Sequence, residues 1–157
     1  MAAAYGLPVE GLSGYRAAHP GANAGELLSA IQTDWYWRIP AVRLADAHAS
    51  TARASTYTYE FARRSPQFKG RLGAAHSVEI PFVFDTLGNG TEHLLGTNPP
   101  QQLASTMHAA WVAFARSGDP GWPKYDLKRR ATMHFDTTSE VVDDPRSAER
   151  ALWDGLR

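Results

Sequence analysis

Cysteine is absent from the 157 residues. The chain therefore cannot form a disulfide, a thiolate zinc site or a cysteine nucleophile. A net charge is absent as well, because 16 basic residues balance 16 acidic ones. A balanced chain lacks a general electrostatic attraction to nucleic acid or to an anionic membrane, so neither is an expected partner. No apolar run approaches the roughly 20 residues that a membrane-spanning helix needs.

The N-terminal residues also lack the features of a signal peptide. Met1 to Pro8 contain no basic segment and no apolar core, so the default expectation is a cytoplasmic chain. Hydrophobic residues make up 43% of the sequence, which is enough to build a core. The length alone fits one domain.

Apolar periodicity predicts where the helices lie. Glycine-rich residues 5–24 predict loop with one short helix around Leu12–Ala18, and residues 1–14 are expected to be irregular. A helical pattern runs from Gly25 to about Ala49, and Pro40 is expected to break or kink it. Gln101–Arg116 is the strongest predicted helix, because its apolar residues recur at spacings of three and four.

Alternating residues predict few strands. Thr56–Phe61 is the clearest, and residues 131–135 and 140–142 predict two short strands joined by a turn. Residues 80–84 are apolar, but Pro81 excludes a central strand, so a short buried helix or turn is expected. A last helix is predicted from Pro145, with Asp144 as its N-cap. The order indicates an α/β protein with too few strands for a complete sheet.

One of the six histidines has a distinctive setting. His76 lies in a glycine-bearing loop after the clearest strand and before an apolar segment. A loop held by a core on both sides suits a general base, which must be fixed while its ring stays accessible. The other five are expected to be structural or surface residues, and no metal-ligand spacing is present. They are His19, His48, His93, His108 and His134.

The segment around His76 resembles that of a known family. Residues 73–84 read Gly-Ala-Ala-His-Ser-Val-Glu-Ile-Pro-Phe-Val-Phe, which is similar to the histidine segment of type B carboxylesterases. The resemblance continues in order from about Tyr15 to the C-terminus. Its other motifs are Thr33-Asp34 with Arg38–Ala41, Tyr57–Phe61, Trp111–Pro120, Trp122–Tyr125 and Arg130–Met133.

The resemblance implies an α/β-hydrolase fold and ester hydrolysis by a serine, an acidic residue and a histidine in that chain order. It implies His76 as the histidine that takes the serine proton and then protonates the leaving alkoxide. It implies a small-molecule ester as the substrate and no cofactor. Glu79 is a supporting candidate that could hydrogen-bond loop groups near His76, although a paired, structural carboxylate is an equal alternative.

The serine and the acid are not found in these residues. No serine has glycine two residues before and two after it, and no triple-glycine oxyanion loop occurs. Glu10 precedes a glycine, as the family's acid does, but the aligned segment at Tyr15 already belongs downstream of that acid. We therefore expect residues 1–157 to be the C-terminal part of one carboxylesterase domain, inactive alone. The alternatives are a non-catalytic interaction module and a piece complemented by a separate N-terminal polypeptide.

Several other side chains are expected to be structural. Asp34 and Arg38 are one helical turn apart and can pair with each other or with sequence beyond these residues. Trp35–Trp37 and the two phenylalanines Phe82 and Phe84 are expected to pack in the core, with a substrate pocket as the alternative. Asp119 is expected to cap or pair within a turn.

Overall fold

A computed structural model of the chain describes residues 5–51 and 53–156. The chain forms two compact units, one made of Met1–Ala54 with Asp144–Arg157 and the other of Ser55–Asp143. In chain order the elements are α1 (Val9–Ala18), α2 (Ala24–Thr33), a π-helical segment (Asp34–Arg38), α3 (Ile39–Ser50), β1 (Thr58–Phe61), α4 (Ile80–Val83), α5 (Glu92–Leu95), α6 (Gln101–Ser117), β2 (Ala131–Phe135), β3 (Glu140–Asp143) and α7 (Ser147–Ala151).

The second unit is built on a three-stranded sheet in the order β1-β2-β3. β1 runs parallel to β2, with Thr58 opposite Thr132 and Phe61 opposite Phe135. β2 and β3 are antiparallel neighbours. The parallel pair needs a crossover, which the chain between β1 and β2 supplies with α6. The α/β class and the shortage of strands are both confirmed.

Helix α6 forms much of the core of this unit. Leu103, Ala104 and Met107 are buried on its inner face, in one cluster with Trp122 and Phe135. The spacing of three and four residues places these side chains on one side of the helix. The helix ends at Gly118, whose φ of 74° is left-handed, a conformation that glycine adopts without steric cost. Its observed end at Ser117 is one residue beyond the predicted end.

The segment after the His76 loop is the short helix that Pro81 predicts. Pro81 lies in the first turn of α4, where its missing N–H is tolerated. Phe82 is 1% exposed, but Phe84 is 65% exposed, so the prediction that Phe84 belongs to the core is wrong. Two residues apart share a face in a strand, but they lie on different faces of a helix.

The first unit contains the helical region predicted around Pro40. Asn23 caps α2, accepting hydrogen bonds from the backbone N–H groups of Gly25 and Glu26. Helix α2 ends at Thr33, the π-helical segment follows, and Pro40 lies in the first turn of α3. The irregularity therefore precedes the proline, whose absent N–H is accommodated by the wider turn.

The prediction that residues 1–14 are irregular is wrong for the part from Val9, where α1 begins. Its two glycines fit the packing. A Cβ on Gly11 would lie 2.5 Å from Leu7 Cγ, and one on Gly14 would lie 2.8 Å from Leu152 Cδ1. Glycine thus allows a close approach here and does not mark a loop. Residues 1–4 of that prediction lie outside the described residues.

The last helix starts later than predicted. Helix α7 begins at Ser147, and Asp144 and Arg146 before it have φ values of 44° and 55°. The Asp144 carboxylate does not cap the helix but accepts two hydrogen bonds from Arg150, at 2.9 and 3.0 Å. Within the described residues no helix is long and apolar enough to cross a membrane.

Candidate active site

His76 lies in the loop between β1 and α4. Val78 N donates a 3.2 Å hydrogen bond to Ala75 O, which closes a tight turn around His76 and Ser77. Ser77 has a φ of 68°, a left-handed conformation that few non-glycine residues adopt. Such backbone persists where the surrounding structure holds it, and it is frequent at functional sites.

The turn is anchored on both sides. Ser65 N donates to Gly73 O at 3.0 Å, which joins the start of the loop to the segment just before His76. After the turn, Val78 is 1% exposed and belongs to the core cluster. The backbone that carries His76 is therefore fixed by a hydrogen bond and by apolar burial.

The His76 ring is available. The residue is exposed, and its side chain has no hydrogen bond or ion pair among residues 5–51 and 53–156. A general base needs this combination of a fixed backbone and an uncommitted ring nitrogen. Two of the other histidines differ, since His108 Nδ1 lies 3.0 Å from Val83 O and His19 Nε2 lies 2.9 Å from Glu149 Oε1.

Glu79 is the second predicted site residue. It lies just before α4 and is half-buried. Burial raises the pKa of Tyr59, and the negative charge of Glu79 raises it further. In the described part of the chain the Glu79 carboxylate makes no hydrogen bond, so its role beside His76 stays a prediction. The proximity of Tyr59 and Glu79 was not predicted, because the two residues lie far apart in the sequence and share no local pattern.

A buried polar cluster occupies the first unit. Asp34 is 1% exposed, and Arg38 donates to both its oxygens at 2.6 and 2.7 Å. Tyr15 donates its hydroxyl hydrogen to the same carboxylate and accepts one from Trp153 Nε1 at 2.8 Å. Burial raises the pKa of Tyr15, and the hydrogen bond to Asp34 raises it further. Both carboxylate oxygens are engaged, so this cluster is structural.

The predicted pairing of Asp34 with Arg38 is thus confirmed, but the partners Tyr15 and Trp153 were missed. Their separation from Asp34 in sequence leaves no local pattern to find. Trp35 packs against Trp153, with ring centroids 5.6 Å apart.

The aromatic run is only partly core, because Tyr36 and Trp37 are 56% and 71% exposed. Asp119 forms the expected structural turn, accepting a 2.8 Å hydrogen bond from Gly121 N. Among residues 5–51 and 53–156, no group of three potential ligands is placed to hold a metal ion.

The chain is similar to known carboxylesterases. The model of the carboxylesterase family matches residues 14–153. The chain is 32% identical to the para-nitrobenzyl esterase of Bacillus subtilis over 123 residues, covering 73% of this chain and 24% of that protein. It is 32% identical to the phenmedipham hydrolase of Pseudarthrobacter oxydans, covering 84% of this chain and 29% of that protein. It is 28% identical to human neuroligin-2, covering 80% of this chain and 18% of that protein.

Solved structures give the same fold. A carboxylesterase of Geobacillus stearothermophilus superposes with a TM-score of 0.80 and 35% identity, over 94% of this chain and 32% of that one. A thermophilic PNB esterase superposes with a TM-score of 0.75 and 28% identity, over 96% and 32%. The α/β-hydrolase fold is therefore confirmed. The chain spans about a third or less of the length of these relatives.

Proposed function

Because the chain belongs to the carboxylesterase family, we propose that it is the part of a serine-type carboxylic ester hydrolase that carries the catalytic histidine. The serine, the acidic residue and the oxyanion donors are contributed by sequence upstream of these 157 residues. The observation that carries the proposal is the His76 turn, with its fixed backbone and uncommitted ring inside the matched region.

In the proposed reaction His76 first acts as a base. A ring nitrogen accepts the proton of the serine hydroxyl as the serine oxygen attacks the ester carbonyl. His76 then donates that proton to the leaving alkoxide, and an acyl-enzyme remains. Water then attacks the acyl carbonyl and gives a proton to His76, the bond between the serine oxygen and the acyl group breaks, His76 returns the proton to the serine oxygen, and the carboxylic acid leaves. The acidic residue holds the ring orientation and stabilises the imidazolium.

Glu79 supports this site as a positioning residue. It lies three residues after His76 on the same turn, with its carboxylate unpaired in the described part of the chain. In the complete site it accepts a hydrogen bond from a loop group. It therefore helps to fix the position of the histidine turn and does not touch the reacting atoms.

The proposal is tested with a chimeric protein, the joined esterase, in which this chain replaces the matching segment of the Bacillus subtilis para-nitrobenzyl esterase. The measurement is whether the joined esterase hydrolyses an ester. We expect it to hydrolyse p-nitrophenyl acetate, because it would hold serine, acid and histidine in one domain. A cooperatively melting joined esterase without turnover would contradict the proposal and favour a non-catalytic interaction module.

A further inference from the structure

The loop that joins β1 to the His76 turn is strongly basic. Residues 62–77 contain four cationic side chains and no carboxylate, in a chain whose basic and acidic residues are equal in number. Acidic residues therefore outnumber basic ones in the rest of the chain, so the positive charge is concentrated on this loop. A local positive charge attracts small anions, whereas a polyanion is held by basic residues spread along an extended surface. The four are Arg63, Arg64, Lys69 and Arg71.

The charge of these four side chains is not neutralised by ion pairs. In the described part of the chain none of them pairs with a carboxylate. Three of them are exposed, and Arg63 is half-buried. By contrast, Arg129 in the same unit pairs with Asp143 at 3.0 Å. The positive charge of the loop is therefore open to an external anion.

Arg64 is the cation whose position on the loop is fixed. Its Nη2 donates a 3.2 Å hydrogen bond to Gly70 O, and a Cβ on Gly73 would lie 3.8 Å from the same nitrogen. The neighbouring Ser65 is hydrogen-bonded to Gly73, so the backbone that carries Arg64 is held as well. A guanidinium has five N–H donors in a planar fork that fits a carboxylate with two hydrogen bonds. Most of these donors are uncommitted among the described residues.

The loop also lies at the edge of the sheet where a ligand is expected. β1 runs parallel to β2 and ends at Phe61, so Arg64 and His76 both follow its carboxyl end. Ligands of open α/β sheets bind outside the carboxyl ends of the strands. The Cα atoms of Gly73 and His76 are at most about 11 Å apart, because three residues span no more. An ester whose carbonyl lies at His76 can therefore extend a short chain to the guanidinium of Arg64.

We infer that this loop selects esters that carry a carboxylate, and that Arg64 is the residue that binds it. The substrate class is the monoester of a dicarboxylic acid, with a short methylene chain between the ester carbonyl and the carboxylate. The inference rests on the proposed function, because it takes His76 to be the catalytic base. The guanidinium orients the substrate and raises its local concentration, and it takes no part in the proton transfers.

The test compares two esters of equal chain length in the joined esterase. Mono-p-nitrophenyl adipate ends in a carboxylate, whereas p-nitrophenyl hexanoate ends in a methyl group. The quantity measured is the ratio of kcat/KM for the adipate ester to kcat/KM for the hexanoate ester. We expect Arg64→Gln to lower this ratio about fivefold, which is the effect of one well-placed exposed charge pair. Arg116→Gln, which removes an exposed cation from α6, should not change the ratio.

A ratio that Arg64→Gln leaves unchanged would overturn the inference, even if both values of kcat/KM fall together. Salt gives a second readout that does not depend on the folding of a variant. Raising NaCl from about 20 mM to about 500 mM shortens the screening length about fivefold, so the ratio for the unmodified joined esterase should fall. A ratio that does not respond to salt would also contradict the inference.

The hexanoate ester separates the two proposals. Turnover of this neutral ester, with a ratio that responds neither to Arg64→Gln nor to salt, would contradict the substrate class and leave the proposed function standing. A cooperatively melting joined esterase that hydrolyses neither ester would contradict the proposed function, and the inference with it.

Discussion

A single buried carboxylate shows how much one residue depends on its partners. Asp34 is 1% exposed, and it is compensated by Arg38 and by the hydroxyl of Tyr15. Taking a carboxylate out of water is costly unless it is paired and hydrogen-bonded. The sequence could predict the Arg38 contact, because the spacing of four residues is local, but not the Tyr15 contact, which closes across 19 residues.

We expect Arg38→Met to lower the free energy of unfolding by about 3–5 kcal/mol, because it leaves a buried charge without its cation. Arg129→Met is the matched control. Arg129 also pairs with a carboxylate, that of Asp143, but both side chains are about half exposed, and such pairs contribute about 1 kcal/mol or less. Urea unfolding measures both, and equal losses would contradict the account of Asp34.

The stability of the chain should fall at alkaline pH because of Tyr15. Its pKa is raised above the ordinary value of 10.0 in the folded state, so the folded chain retains a proton that the unfolded chain releases. The stabilisation is complete below pH 10 and is lost as the pH rises through the folded pKa.

Tyr15→Phe should remove that part of the alkaline loss, and Tyr36→Phe, at an exposed position, should retain it. Unfolding free energies measured from pH 8 to 11 give the two slopes. A Tyr15→Phe slope identical to that of the unmodified chain would count against this assignment.

At the scale of elements, the spacing of apolar residues predicts which helix face packs in the core, but it does not predict whether a glycine marks a loop or allows a close contact within a helix. Helix α6 is predicted to within a residue because its apolar positions repeat at helical spacing. The glycines of α1 were interpreted as loop residues, but Gly11 and Gly14 allow close approaches to Leu7 and Leu152. The contact with Leu152 joins residues far apart in the chain, so the sequence around α1 does not reveal it.

The inner face of α6 should be sensitive to truncation. Met107 has no exposed surface, so Met107→Ala should cost about 2–5 kcal/mol through lost burial and the cavity left behind. The neighbouring Thr106 is exposed, and Thr106→Ala should change stability by about 0.5 kcal/mol or less. Chemical denaturation compares them. A Met107→Ala loss as small as that of Thr106→Ala would mean that α6 does not pack as described.

At the scale of the whole molecule, the three-stranded sheet corresponds to part of the larger fold of its relatives. Its relatives are about three times as long or more, and β1 pairs on one side only within the described residues. The sequence predicted this incompleteness, because the histidine motif is present while the serine motif is absent. It could not predict how α6 packs on the sheet, because Met107 and Phe135, which belong to one core cluster, are far apart in the sequence.

The 157-residue chain alone should therefore show no turnover of p-nitrophenyl acetate above the uncatalysed rate. It lacks a serine in the nucleophile motif, and a histidine without its nucleophile cannot form an acyl-enzyme. A buffer blank and the joined esterase are the references. Saturable turnover by the purified chain would refute the proposed division of the active site.

The most direct test of the central claim is kcat/KM of the joined esterase with and without His76. We predict that His76→Ala lowers kcat/KM for p-nitrophenyl acetate by about a thousandfold or more, since removal of the general base stops serine activation. His93→Ala, at an exposed histidine in α5, should leave it unchanged. A His76→Ala variant that keeps the activity of the joined esterase would contradict the assignment of His76 as the catalytic histidine.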